Sequence, residues 1–138
     1  MMSVKPPLKF VLAGGIATNG KAVNNPTWST VERRLGQLQH NGGAMSLEII
    51  EGGEFPFDSV DVLAEHDLYL LTYLRHHSRT DSDVYELFDH PEKGAKPMIE
   101  MGGNLWAPRV IGTDFTRVRR AFKEFYETGK ISLSNYGA

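Results

Sequence analysis

The chain has 138 residues, a length typical of one globular domain. Hydrophobic residues make up 41% of the chain and charged residues 23%, proportions that argue against an intrinsically disordered or low-complexity protein. The sequence has no cysteine, which excludes a disulfide framework, a thiolate zinc site and a cysteine nucleophile.

The net charge of −2 hides an uneven distribution along the chain. Residues 35–74 contain no Lys or Arg but seven acids, and residues 93–138 contain eight Lys or Arg against four acids. The sequence pI near 6.2 is low for a nucleic-acid-binding protein, so we expect no nucleic-acid partner. The acidic centre suits a basic protein partner, although solvated acidic loops and strand faces are a common alternative.

The apolar segments of the sequence are too short to span a bilayer. At the N-terminus, Lys5 and Pro6-Pro7 leave only residues 8–13 as an apolar stretch, which does not fit a signal peptide. We therefore expect a cytoplasmic protein with no membrane partner.

The first half of the chain predicts a strand followed by a helix. Residues 9–13 are apolar apart from Lys9 and end at a Gly-Gly pair, as a buried strand does. Apolar residues then recur with helical spacing at Trp28, Val31, Leu35 and Leu38. The helix, over about residues 27–40, has two possible caps, namely Asn25 with Pro26 or a Ser29–Glu32 capping box, and Gly42-Gly43 ends it.

The middle of the chain predicts several consecutive strands. Met45, Leu47 and Ile49 alternate with polar residues, and Val60 and Val62 flank Asp61 in the same way. Pro56, between two phenylalanines, predicts an edge or irregular strand. The strongest candidate is residues 68–74, which has apolar residues on both faces. Further short strands are predicted over residues 84–88, 99–101 and 106–111.

A second helix is predicted over about residues 114–128. Thr113 or Asp114 caps it, Gly129 ends it, and its apolar stripe consists of Phe115, Val118, Phe122 and Phe125. Strands that follow one another through short loops pair antiparallel. We therefore predict a single α+β domain over residues 1–138, in which an antiparallel sheet of about five to six strands packs against the two helices.

Three patterns invite a ligand-binding or catalytic interpretation. Residues 15–22 nearly fit a phosphate-binding loop, but Ala22 replaces the magnesium-binding hydroxyl and the helix begins too late. His76 and His77 would point to opposite faces of a strand, so we interpret them as solvated loop histidines. The dense central acids leave a carboxylate pair open as an alternative. We expect no catalytic residue, no metal and no cofactor.

Several short motifs carry a resemblance over residues 25–130. Asn25-Pro26-Thr27-Trp28 opens the first helix, Met101-Gly102-Gly103 follows the strands, and the last helix closes on residues 121–129 with Phe125 and a final Thr-Gly. In this order the motifs resemble the first-numbered family of immunity proteins from bacterial polymorphic toxin systems.

The resemblance implies a small cytoplasmic protein that binds and blocks one cognate toxin. Such toxins are delivered by contact-dependent growth inhibition or type VI secretion, and many are nucleases or deaminases that attack nucleic acids. Immunity proteins of this kind have no catalytic residues. The motif residues would be structural: Pro26, Thr27, Trp28, Gly102, Gly103 and Phe125.

The acidic centre then becomes the predicted binding surface, because a nuclease holds phosphates in a cationic cleft that carboxylates can block. The residues predicted to face the toxin are Glu54, Asp58, Asp61, Glu65 and Asp67. Tyr69 and Tyr73 would act as aromatic anchors if their strand face is open. Two alternatives remain: a small hydrolase that uses the central Asp/Glu cluster, and a non-catalytic adaptor subunit with a large apolar surface.

Overall fold

Alternating apolar residues and two amphipathic stripes produce a layered fold of one sheet and two helices. The computed structural model describes residues 8–14, 21–89 and 97–136. The helices are α1 (Trp28–Asn41) and α2 (Phe115–Thr128). The strands are β1 (Lys9–Gly14), β2 (Val23–Asn24), β3 (Gly43–Glu51), β4 (Ser59–Glu65), β5 (Leu68–His76), β6 (Ser82–Glu86), β7 (Ile99–Met101), β8 (Asn104–Trp106) and β9 (Ile111–Gly112).

The described strands form an antiparallel sheet and a separate hairpin. The sheet has the order β2-β1-β3-β4-β5-β6, and β9 pairs with the start of β5 beside β6. β7 and β8 pair only with each other. Since β3 to β6 follow one another through short connections, most of the sheet is a meander, and the predicted α+β class is confirmed.

Both helices cover the same face of the sheet, α1 over β3 and α2 over β4 and β5. The core between the layers is built from alternate strand residues and the helix stripes, and its fully buried members include Leu12, Leu35, Leu47, Leu71, Tyr73, Phe122 and Phe125. Each such side chain contributes about 1.5–3 kcal/mol by leaving water. In the described part of the chain, the two helices therefore lie on one face of the sheet.

The helix boundaries agree with the predicted ranges, but the cap of α1 differs. Thr27, and neither Asn25 nor Ser29, accepts a hydrogen bond on Oγ1 from the backbone N–H of Thr30 at 3.2 Å. For α2, Asp114 accepts from the N–H of Thr116 at 3.0 Å, and Gly129 ends the helix with a left-handed φ of 75°. A glycine adopts this conformation without the steric cost that a Cβ brings.

Two predicted strands are wrong in extent. The strand expected over residues 106–111 breaks at Pro108, where a 3₁₀ turn (Pro108–Val110) separates β8 from β9, because proline cannot donate to a strand ladder. The strand expected over residues 84–88 lies earlier, at Ser82–Glu86, and Leu87 and Phe88 continue into the core.

The nearly matching phosphate loop falls largely on residues 15–20, which lie outside the described residues. Lys21 and Ala22 lead into β2 and not into a helix. Neither helix in the described part of the chain has the length and apolar character needed to cross a membrane.

Candidate functional site

The face of the sheet that is turned away from the helices, which we call the open face, is the candidate site. Its side chains alternate with core residues along every strand. The strand registers place them in rows across the sheet. One row, from β1 to β6, is Ala13, Ser46, Asp61, Thr72 and Glu86, and the next is Val11, Glu48, Ser59, Leu74 and Val84. Acids from strands distant in sequence therefore meet on one surface.

The β7–β8 hairpin covers one end of the open face. A small apolar cluster joins it to the sheet, built from Leu70, Met101, Val110 and Ile111, with Leu63, Leu68, Ile99 and Trp106 packed around them. Glu65 at the end of β4 accepts a hydrogen bond from the N–H of Gly102 at 2.8 Å, and the Trp106 indole N–H donates to the carbonyl of Met101 at 3.0 Å. The hairpin is thus tied down at its turn.

Beside the hairpin the open face has a depression of about 400 Å³, which we call the sheet-face depression. The residues that line it on the open face are Ala13, Gly14, Ala44, Ser46, Asp61, Leu63, Leu70 and Thr72. Its surface is mostly apolar, and its polar groups come from Ser46, Asp61 and Thr72. It therefore combines a shallow, wide-open concave surface with a carboxylate at its side.

Three carboxylates dominate the electrostatics of the open face: Glu48, Asp61 and Glu86. Partial burial and the neighbouring Asp61 raise the pKa of Glu48, an effect that His76 opposes. Burial and Asp89 raise the pKa of Glu86. Within the described ranges, no Lys or Arg nitrogen lies within 4.0 Å of these three carboxylates. The open face consequently has negative charge that is not locally compensated.

Asp58 and His76 form a closely bonded pair at the end of β5. Asp58 Oδ1 accepts from the backbone N–H of His76 at 2.7 Å and from its ring Nδ1 at 2.8 Å. The two side chains are only 9% and 21% exposed, so His76 is not the solvated loop histidine that the sequence predicted. Such a pair fixes the orientation of an imidazole ring and its tautomer. The nearby hydroxyl of Ser59 donates to Asp61 Oδ2 at 2.9 Å and not to His76.

The structure separates the acids that were predicted to face a partner together. Asp61 lies in the middle of the open face, whereas Asp58 is buried beside His76. Glu54 lies in the β3–β4 connection, with Lys130 Nζ at 3.5 Å. Glu65 holds the hairpin turn, and Asp67 occupies the β4–β5 turn with a positive φ of 62°. β4 is seven residues long, so Asp58 just before its start lies about 20 Å from Glu65 and Asp67 at its end.

The predicted aromatic anchors are corrected by the structure. Tyr69 and Tyr73 point to the helix face of β5 and are 3% and 1% exposed. Tyr69 packs on Phe115 and Tyr73 on Phe125, with ring centroids 5.5 Å and 6.0 Å apart. Because their strand face is covered by α2, neither ring is available to a partner.

The sequence interpretation missed Glu48 as a neighbour of Asp61, and Glu86 as a residue of the same row. Glu48 lies between Leu47 and Ile49, and this alternation already predicted that its side chain points away from the core. The register that aligns β3 with β4 was not readable from that pattern. In the part of the chain that the structure describes, no group of three His, Asp or Glu residues has the geometry to hold a metal ion.

Comparisons with known proteins inform the fold. No curated protein matches the chain significantly. A solved structure, described as the crystal structure of a hypothetical protein from Neisseria gonorrhoeae, is similar with a TM-score of 0.68 and 18% identity over 94% of both chains. At this identity the similarity concerns the fold alone. The model of a family described as "Family of unknown function (DUF6911)" matches residues 9–134, and the protein therefore belongs to that family.

Proposed function

We propose that the protein is a cytoplasmic immunity protein, which binds a cognate secreted bacterial toxin and neutralises it by steric and electrostatic blocking. The toxin would be a nuclease or deaminase with a basic surface. The observation that carries this proposal is the uncompensated charge of Glu48, Asp61 and Glu86 on the open face. A basic partner supplies the cations that these carboxylates lack.

The composition of the open face also suits a protein partner. Apolar side chains are exposed beside the acids, with Ile50 at 41% and Val84 at 61% exposure. Ser46 and Thr72, which carry hydroxyl groups, flank Asp61 on the two neighbouring strands. Protein interfaces combine apolar contact with polar groups in this way, and opposite charges increase the association rate and the specificity of binding.

The motif residues occupy structural positions, which is what the resemblance to immunity proteins implies for them. Thr27 caps α1, Phe125 is fully buried, and Gly102 has a positive φ of 60° in the hairpin turn. The Pro26 carbonyl accepts a hydrogen bond from the Tyr126 hydroxyl at 3.0 Å, and Trp28 packs on the same tyrosine. Apart from Gly102 in the hairpin, these residues lie in the helix layer, on the side of the sheet opposite the open face.

The proposal is tested by identifying the partner and reversing the charge of the open face. The tagged full chain captures its partner from a lysate of the source organism, and mass spectrometry identifies it. The partner domain is then expressed alone and together with the chain. We expect growth arrest from the partner alone and protection by the wild-type chain. In E48K/D61K we expect affinity to fall at least about tenfold, because lysines meet a basic surface.

A matched control separates this effect from a general change of net charge. E100K/E127K introduces the same charge change at two exposed positions, one on the hairpin and one on α2. It should keep both binding and protection. A partner that is harmless when expressed alone, or equal binding by the two double variants, would contradict the proposal.

A further inference from the structure

The sheet-face depression owes its shape to a step between covered and uncovered strands. On β4 and β5, Leu63 and Leu70 fill the space under the β7–β8 hairpin. On β1 and β3, the facing residues are small: Ala13, Gly14, Ala44 and Ser46. The depression lies between these two levels.

Gly14 lies at the edge of the depression, where β1 approaches the backbone of β3 closely. It has a positive φ of 87°, and a Cβ placed there would lie 2.3 Å from the carbonyl oxygen of Ala44. No side chain larger than hydrogen fits at this position without moving the backbone of β3. The close approach of β1 and β3 at this edge of the depression therefore requires glycine at position 14.

Asp61 presents an unused acceptor at the depression. The Ser59 hydroxyl donates to Oδ2 and fixes the carboxylate, whereas Oδ1 has no hydrogen-bond partner among the described residues. Glu48 adds a second negative charge close enough to Asp61 for the two to interact. The hydroxyls of Ser46 and Thr72, which flank Asp61 in the same row, offer further acceptors.

We infer that the depression receives an arginine side chain of the partner, an inference that rests on the proposed function. The aliphatic stem lies against Ala13, Ala44 and Leu63, and the guanidinium donates to Asp61 Oδ1 and the adjacent hydroxyls. Arginine fits better than lysine, because its planar group carries five donors and is more weakly hydrated than an ammonium. A neutral or acidic side chain would leave the carboxylate uncompensated.

The inference is tested without the partner by an NMR titration of the full-length ¹⁵N-labelled chain. The probe is N-acetyl-arginine methylamide, and the control ligand is the citrulline analogue, which has the same shape without the charge. We expect saturable shifts of the Ser46, Asp61, Leu63 and Thr72 amides with arginine, and much smaller shifts with citrulline. In D61N the affinity for the arginine probe should fall about tenfold, because a charge-assisted hydrogen bond is lost.

A filling variant tests the depression itself. A44F places a ring into it from an exposed strand position, and V84F makes a similar enlargement on the same face outside it. The amide spectra report whether both variants fold. A44F should abolish the arginine-specific shifts, and V84F should retain them.

The inference is overturned if arginine and citrulline act alike, if no saturable shift occurs, or if A44F binds arginine as V84F does. These outcomes are distinguishable from failure of the proposed function. If the captured partner still loses affinity for E48K/D61K while the arginine probe gives no specific shifts, only the present inference fails.

Discussion

At the residue scale, Asp58 has a structural role, because its carboxylate is buried and bonded to the neighbouring strand. It lies just before β4 and accepts two hydrogen bonds from His76. The sequence placed it in a run of acids and suggested solvent exposure, because composition does not reveal which acid faces a neighbouring strand. The pairing of β4 with β5 decides this, and it brings residues 18 positions apart into contact.

We expect the substitution D58A to lower the free energy of unfolding by about 1–3 kcal/mol, because the His76 N–H and ring lose their acceptor in a largely buried position. Urea denaturation at neutral pH measures the change. The control D81A removes an exposed carboxylate in the β5–β6 connection and should stay within about 0.5 kcal/mol of the wild type. An equal loss in both variants would show that Asp58 has no special structural role.

At the element scale, the two helices were the most predictable parts of the fold. Their apolar spacing and the glycines after each helix gave bounds within a residue or two of α1 and α2. The strands were predictable where one face is polar, as in β3 and β4. Residues 106–111 were not, because Pro108 divides a segment whose apolar composition reads as continuous. The hydrophobic alternation fixes which side chains share a face, but the order of the strands in the sheet depends on contacts that no local pattern specifies.

Two glycines in different elements give opposite predictions. Gly112 in β9 is buried, and a Cβ there would lie 2.1 Å from the Phe88 ring, so G112A should destabilise the fold by at least about 2 kcal/mol through overpacking. Gly36 in α1 is exposed and has open space around it, so G36A should stabilise the fold by about 0.5–1 kcal/mol. Thermal and urea unfolding of both variants measure these effects. Similar shifts of the same sign would contradict the packing described for β9.

At the scale of the whole molecule, the sheet separates two tasks. One face, under the helices, supplies the core, and the other presents carboxylates that are partly removed from water. Burial raises the pKa of Glu48 and of Glu86, and Asp61 and Asp89 act in the same direction. The folded chain therefore holds these protons more tightly than the unfolded chain, and ionisation of the two groups opposes folding.

Ionisation of Glu48 and Glu86 makes the folded chain less stable as the pH rises. The destabilisation by ionised Glu48 and Glu86 is absent below the ordinary glutamate pKa of 4.5. It grows as the pH rises through the raised pKa values of these two residues. The variant E48Q/E86Q should be more stable than the wild type at neutral pH by up to about 1 kcal/mol after solvent screening, and equally stable in more acidic solution. Urea denaturation across this pH range measures the difference. A stability difference between E48Q/E86Q and the wild type that widens on acidification would contradict the raised pKa of the two glutamates.

The edge strand β6 affects how the molecule behaves at high protein concentration. In the described part of the chain, β6 has a neighbouring strand only on the β5 side, and an open backbone edge is a template on which further chains can add. This edge is five residues long, contains Asp83 and Glu86, and follows Asp81. Two such edges brought together would crowd six carboxylates, so polymerisation through β6 is opposed by its own sequence. Among the described residues, the β6 edge therefore combines unpaired backbone groups with charges that oppose pairing with a second copy.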